Sequence, residues 1–141
     1  MLLVDANVLL HAVNGRAREH APAREWLGEA LAGGEAVAFA WTVLLAFLRV
    51  STHPAVFPRA LTMGQAATAA ETWLEAAPAI LIEPTRWHLP LVRGLLEPTG
   101  TAGNLVGDAH LAALALEHGA TVVSFNRDFA RFEGVRLTRP G

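Results

Sequence analysis

Apolar and polar positions change their spacing several times along the chain. Four short apolar runs, Leu2–Val4, Ala36–Phe39, Ile80–Ile82 and Thr121–Val123, have the length of buried strands. Between them lie longer segments with apolar residues three and four apart, the spacing of an amphipathic helix. This predicts helices over Ala6–Val13, Pro22–Leu31 and Thr42–Ser51. Three more are expected: from a Thr62 N-cap to about Ala76, from a Thr85 cap to about Leu96, and over Leu105–His118. Asn14-Gly15, Gly33-Gly34, Pro54 and Gly119 mark ends. EPTGTAGN reads as a loop, Asp128–Arg131 as a turn or short helix, and the remainder as a basic tail.

Strands alternating with helices mean right-handed crossovers onto a parallel sheet with helices on both faces. The expected fold is therefore α/β, one domain over residues 1–141. Ligands of such sheets bind beyond the carboxyl ends of the strands. Asp5 stands at that end of the first strand, and Ser124–Asp128 follows the last. The topology predicts that the two segments share one site.

Composition narrows the chemistry. The 141 residues suit one domain of typical size, about 100–150 residues, and the 52% hydrophobic content supplies a core. No cysteine is present, which removes disulfides, zinc–thiolate sites and thiol catalysis together. All 11 basic residues are Arg. Without Lys there is no P-loop and no Schiff base, although a codon bias toward Ala and Arg explains the absence equally well. A net charge of −2 makes no global case for nucleic acid. The longest uncharged stretch, Ala36–Leu48, is shorter than the roughly 20 residues of a membrane span. Asp5 interrupts the first apolar run and no basic segment precedes it, so a secretory signal is not expected and the protein is expected in the cytoplasm.

The acids carry more information. The chain has only three aspartates, Asp5, Asp108 and Asp128, and each follows or opens an apolar segment. Most glutamates lie at polar or helix-flanking positions, where solvated charge is the ordinary explanation. Taken singly, Asp5 can cap the helix that follows it, and Asp108 can stabilise a helix N-terminus. Asp128 fits a first-turn acid. As a pair, Asp5 and Asp108 are harder to dismiss. Two half-buried carboxylates at one sheet end repel unless a proton or a cation lies between them. Hard oxygen ligands without cysteine favour Mg²⁺ or Mn²⁺ over zinc.

Other chemistries find no support. The six histidines show no HExxH or similar spacing, and His110, two residues from Asp108 on a helix, is expected to face away from it. There is no GxSxG elbow for a serine hydrolase and no GxGxxG after the first strand.

LLVDANVLLHA, FAWTVLLAFLRVSTHP and GNLVGDAHLAALALEHGATVVSFNRDFARF, in that order and at this overall length, resemble PIN-domain ribonuclease toxins of the VapC type from bacterial toxin–antitoxin systems. The resemblance covers nearly the whole chain. It implies a Mg²⁺- or Mn²⁺-dependent endoribonuclease that cleaves RNA by metal-activated water. It also implies a VapB-like antitoxin laid over the active-site groove, and a homodimer. By the same resemblance Asp5 and Asp108 are catalytic metal ligands, and Asn7 is the small polar residue beside the first acid.

Two positions depart from the family pattern. The central helix often carries a Glu followed three residues later by Arg, but here Ala46 precedes Arg49. Near the C-terminus Asn126 occupies the slot of another acid and only Asp128 keeps its charge; the resemblance makes both further candidate catalytic residues beside Asp5 and Asp108. Asn126 can accept through its amide oxygen but supplies neither charge nor a base. Arg49 is open to two readings, contact with RNA phosphate or an acid, or an ion pair with a glutamate at the helix end. Arg127, with Arg131, Arg136 and Arg139, forms either a solvated tail or a rim for the RNA backbone. The tryptophans fit core or partner interface better than base stacking. The alternative function is a weak or inactive PIN-like module that binds RNA or an antitoxin without turnover.

Overall fold

In the computed structural model, which describes Met1–Gly141, five strands alternate with six helices. In chain order these are β1 (Leu2–Val4), α1 (Ala6–Val13), α2 (His20–Ala32), β2 (Val37–Phe39) and α3 (Trp41–Ser51). They continue as α4 (Met63–Glu75), β3 (Ala79–Leu81), α5 (His88–Leu96), α6 (Val106–His118), β4 (Thr121–Val123) and β5 (Leu137–Thr138). The sheet order is β3-β2-β1-β4-β5, and every pairing is parallel. Leaving β1, the chain first moves outward through β2 and β3, then crosses back to place β4 on the other side of β1. The strand order reverses between β1 and β4, the position where open parallel sheets form their binding crevice.

The central strands are buried on both sides. Leu3, Val4, Val37, Ala38, Phe39, Val122 and Val123 are fully inaccessible to solvent. Helices α1 to α4 pack against one another as one group, and α5 packs on α6 as a second. This is the two-faced arrangement expected of right-handed crossovers. Helix α6 buries five consecutive residues, Leu111 to Ala115, so its central turn is apolar around the whole circumference. Three of those five are alanines, which let the helix backbone lie close to the sheet. Phe47 of α3 is fully buried and meets the Trp73 ring edge-on at 5.0 Å, so truncating it to Ala costs about 3–5 kcal/mol.

Local signals set most boundaries. Thr62 and Gln65 form a reciprocal capping box at the start of α4, with hydrogen bonds of 3.1 and 3.0 Å. Gly119 ends α6 at φ +64°, a conformation that a side chain would strain. Helix α2 begins two residues before Pro22, which is tolerated because first-turn amides have no helical partner.

Three expectations need correction. Thr85 does not cap α5 directly; its hydroxyl accepts from the Trp87 amide in the preceding turn, and the helix starts at His88. The loop EPTGTAGN contains two short 3₁₀ turns, Glu97–Thr99 and Gly103–Leu105. The basic tail is folded, because Leu137–Thr138 adds the parallel edge strand β5 beside β4. Two residues of strand are too few for a period to be read in sequence. No helix is long and apolar enough to cross a membrane.

Candidate active site

The carboxyl end of β1 is welded to that of β4. The Asp5 amide donates to the Val123 carbonyl at 3.0 Å, which sets the Asp5 side chain at the mouth of the switch point. Asp5 is also the N-cap of α1, its Oδ1 accepting from the Ala6 amide at 2.7 Å. Its other oxygen, Oδ2, accepts from the Ser124 hydroxyl at 2.6 Å and from Asn7 Nδ2 at 3.0 Å. Cap and site residue are therefore the same carboxylate.

Asn7 acts as a tie between the two strand ends. Its amide oxygen accepts from the Phe125 amide at 3.2 Å, so its nitrogen must face Asp5 and Ser124, donating to Ser124 Oγ at 2.9 Å. Ser124, 2% exposed, is the hub of this cluster, because its oxygen also accepts from the Asn126 amide at 2.9 Å. In the sequence Ser124 stands out only as the start of the segment after the last inner strand. A small hydroxyl directly after a buried β-strand, two residues before a polar side chain, was the available signal.

Asn126 is oriented by the same logic. The Asp128 amide can only donate, and it does so to Asn126 Oδ1 at 3.0 Å. The amide nitrogen of Asn126 is thereby turned toward Asp108 and donates to its Oδ2 at 3.1 Å. The Asn126 oxygen does accept, but from the Asp128 amide, where it caps the 3₁₀ turn Arg127–Arg131, and the group presented to Asp108 is the nitrogen.

Asp5, Thr42, Ala46, Asp108 and His110 line one cleft of about 320 Å³, between the first turns of α3 and α6. Burial pushes the Asp5 carboxyl above its ordinary range, against the pull of its hydrogen bonds from Ser124 and Ala6. Burial also raises Asp108, and the charges of Asp5 and Asp128 raise it further, while the Asn126 hydrogen bond opposes them. Neither Asp5 nor Asp108 has an ion-pair partner, and Arg131 lies 3.8 Å from Asp128 instead. The cleft thus concentrates negative charge with no side-chain cation to balance it.

Asp108 turns toward Asn126, whereas His110, which lines the same cleft, turns toward His88 of α5 and Thr42 of α3. The His110 Nδ1 lies 2.7 Å from His88 Nε2 and its Nε2 lies 3.1 Å from Thr42 Oγ1. Burial and the neighbouring His88 hold His110 below its ordinary pKa. Glu117 is likewise no solvated charge: its side chain is 2% exposed and bonded to His88 Nδ1 and the Thr85 amide.

The predicted arginines are not drawn in. Arg49 is exposed, forms no ion pair and does not line the cleft, so it neither pairs with a glutamate nor orients an acid of the site, and its guanidinium is open to solvent. Arg127 is exposed at the start of its 3₁₀ turn. Arg136 donates to the Gly119 carbonyl at 2.7 Å, and Arg139 lies over the Phe125 ring at 4.9 Å, so half of the basic tail holds local structure. Trp41 and Trp87 are exposed rather than core.

The sequence matches the PIN-domain family over residues 2–135. The chain belongs to the PIN-domain family, in its VapC branch. It is 50% identical over 140 residues to ribonuclease VapC37 of Mycobacterium tuberculosis, covering 99% of this chain and 97% of that protein. Identity to ribonuclease VapC31 of the same species is 36%, covering 99% of both chains. Among solved structures, VapBC2 from Rickettsia felis, bound to a DNA fragment from its promoter, superimposes with a TM-score of 0.71. That likeness covers 98% of this chain and 97% of the other at 20% identity, and it carries the fold alone. The doubly wound sheet built here is thus the PIN fold, and its switch-point cleft holds the acids that the resemblance singled out.

Proposed function

We propose that this PIN-domain protein is a divalent-metal-dependent endoribonuclease, the toxin of a toxin–antitoxin pair. One observation carries the reading: Asp5 and Asp108 share a cleft, both with carboxyls raised by burial and neither with a countercharge. Such a pair is electrostatically incomplete, and a cation completes it. No three His, Cys, Asp or Glu side chains converge as a ready-made metal cage. A site with two carboxylates and open solvent access suits Mg²⁺ or Mn²⁺, which keep several waters, better than zinc. Asp5 and Asp108 would hold the ion, with the Asp128 charge adding to the negative field at Asp108. When bound, the ion supplies Lewis acidity for the attacking water and for the scissile phosphate.

The chain's own residues supply geometry. Ser124 and Asn7 fix the Asp5 carboxylate, and Asn126 fixes that of Asp108. Asn126 in turn is held by the Asp128 amide. Trp41, Leu45 and Val106 are exposed on the helices that wall the cleft, which supports an apolar antitoxin segment laid across it.

The names of the curated relatives support the ribonuclease reading. A second reading, a binding module without turnover, draws on one observation: positions 46 and 126 carry no charge, and the Asn126 amide occupies an oxygen of Asp108. Calorimetric titration of Mn²⁺ into the protein, beside Asp5→Asn and Asp108→Asn, separates the two. The nuclease reading expects binding that either substitution abolishes in a folded protein, and RNA cleavage that stops with chelator. Full cleavage by Asp5→Asn would sink it. Metal binding and RNA binding without cleavage would favour the second reading.

A further inference from the structure

The acid cleft does not end at Thr42 and His110. Both residues also line a second hollow, of about 370 Å³, on the side away from Asp5 and Asp108. Its floor is apolar and buried, since none of Ala40, Ile82 and Leu114 is more than 6% exposed. Its rim is open: Trp41 is 50% exposed, and Glu83 and Pro84 are exposed beside it.

Topology sets the two hollows in a row. Asp5 follows β1, Trp41 opens α3 behind β2, and Glu83 lies just beyond β3. The sheet order β3-β2-β1 lays these three strand ends side by side. Neighbouring strands are about 4.8 Å apart, so the second hollow begins one strand from the acids. The Ile82 amide donates to the Phe39 carbonyl at 3.1 Å, which holds the Glu83 segment against the end of β2. The Glu83 carbonyl is engaged as well, by His118 Nε2 at 2.8 Å. Its carboxylate forms no ion pair and no hydrogen bond within the chain.

An exposed indole, an apolar floor and one free carboxylate suit a flat ring with a polar edge. Unpaired RNA bases are such rings: they stack on aromatic side chains and are read along the Watson–Crick edge. The carboxylate decides which base fits. It only accepts, through two oxygens side by side. Guanine alone sets two adjacent donors on that edge, N1–H and the 2-amino group. Adenine and cytosine place an acceptor beside their amino group, and uracil places its one N–H between two carbonyls. Each of these would turn lone pairs toward the carboxylate. We propose that the second hollow is a guanine subsite beside the acid pair, where Trp41 stacks on the base and Glu83 accepts from its Watson–Crick edge. The inference rests on the ribonuclease reading above and adds a base preference to it.

The test titrates the protein into four fluorescein-labelled RNA pentamers, UUXUU with G, A, C or U at X, and follows fluorescence anisotropy. Ca²⁺ replaces Mg²⁺. Wild type should bind the G pentamer about fivefold more tightly than the others, the low end for a bidentate base contact because Glu83 is exposed. Glu83→Gln offers one donor beside one acceptor, which matches adenine, so the preference should move from G to A. Trp41→Ala should weaken all four pentamers by about tenfold, the scale of one stacked base, and Trp41→Phe should restore most of the loss. Melting temperatures check that each variant is folded.

Equal affinity of wild type for all four pentamers overturns the proposal; it is the result expected if an apolar side chain of a protein partner fills the hollow instead. A G preference that survives Glu83→Gln overturns the role of Glu83, and affinities unmoved by Trp41→Ala overturn the stacking. If Trp41→Ala does not fold, wild type against Glu83→Gln still decides the reading of the base. Cleavage of total RNA by wild type with Mn²⁺ tests the ribonuclease reading by itself, so the two can fail separately.

Discussion

Ser124→Ala is the sharpest probe of how the site is built. The hydroxyl is 2% exposed, donates to Asp5 at 2.6 Å and accepts from the Asn126 amide and Asn7 Nδ2, each at 2.9 Å. Deleting it removes a hydrogen bond to a charged group, about 1.5–3 kcal/mol, and leaves the Asn126 amide unpaired, about 1–3 kcal/mol. Asn7 Nδ2 keeps Asp5 Oδ2 as an acceptor, so it adds little. The losses share one oxygen and do not add in full, giving about 3 kcal/mol. For a chain of this size that lowers the melting temperature by about 10 °C. The second consequence is electrostatic. The Ser124 hydrogen bond opposes the burial that raises Asp5, so its loss drives Asp5 higher still. Mn²⁺ binding followed by calorimetry should therefore weaken and shift to higher pH, while Ser124→Thr retains both properties if its methyl is accommodated. A fall in melting temperature of less than about 2 °C, with Mn²⁺ affinity and its pH dependence unchanged, would refute the hub role.

Three further outcomes follow from the same structure. Asp5 and Asp108 are both raised on folding, so the native metal-free protein binds more protons than the unfolded chain above the ordinary Asp pKa of 3.8. Their contribution is greatest on the acid side of that interval and is lost as pH rises through the native pKa values; urea melts in chelator should show Asp5→Asn and Asp108→Asn gaining on wild type toward neutral pH, and no gain would contradict the raised pKa values. Ala46→Glu adds a carboxylate to the cleft wall, so Mn²⁺ should bind about tenfold more tightly, roughly 1.4 kcal/mol, and the metal-free melting temperature should fall through like-charge repulsion; unchanged affinity by calorimetry would show that position 46 does not reach the ion. Ser51 is fully buried and its hydroxyl has no hydrogen-bond partner, so Ser51→Ala should raise stability by about 1 kcal/mol in thermal melts, whereas a clear loss would reveal a partner for the hydroxyl.

The chain's periodicity was a good guide wherever an element buries one consistent face. Helix α1, helix α4 with its Thr62 cap, and strands β1 and β4 begin and end where the pattern places them, because caps and apolar runs act locally. Asp5 and Asp108 stood out for a related reason: a carboxylate beside a buried run is costly unless it is used. The sequence also determined the parallel topology, since strands separated by whole helices have few other ways to share a sheet.

Direction and pairing were decided elsewhere. Which atom of Asn126 faces Asp108 depends on an amide two residues away in a 3₁₀ turn. The role of Ser124 depends on β4 lying beside β1, 119 residues apart in sequence from Asp5 to Ser124. Glu117, His88, His110 and Thr42 come from three helices, and nothing in their separate surroundings marks them as a set. Sequence patterns record what each residue needs from solvent, which is a local property. A hydrogen bond needs two groups within about 3 Å in the right orientation, and only the packed chain brings distant groups that close.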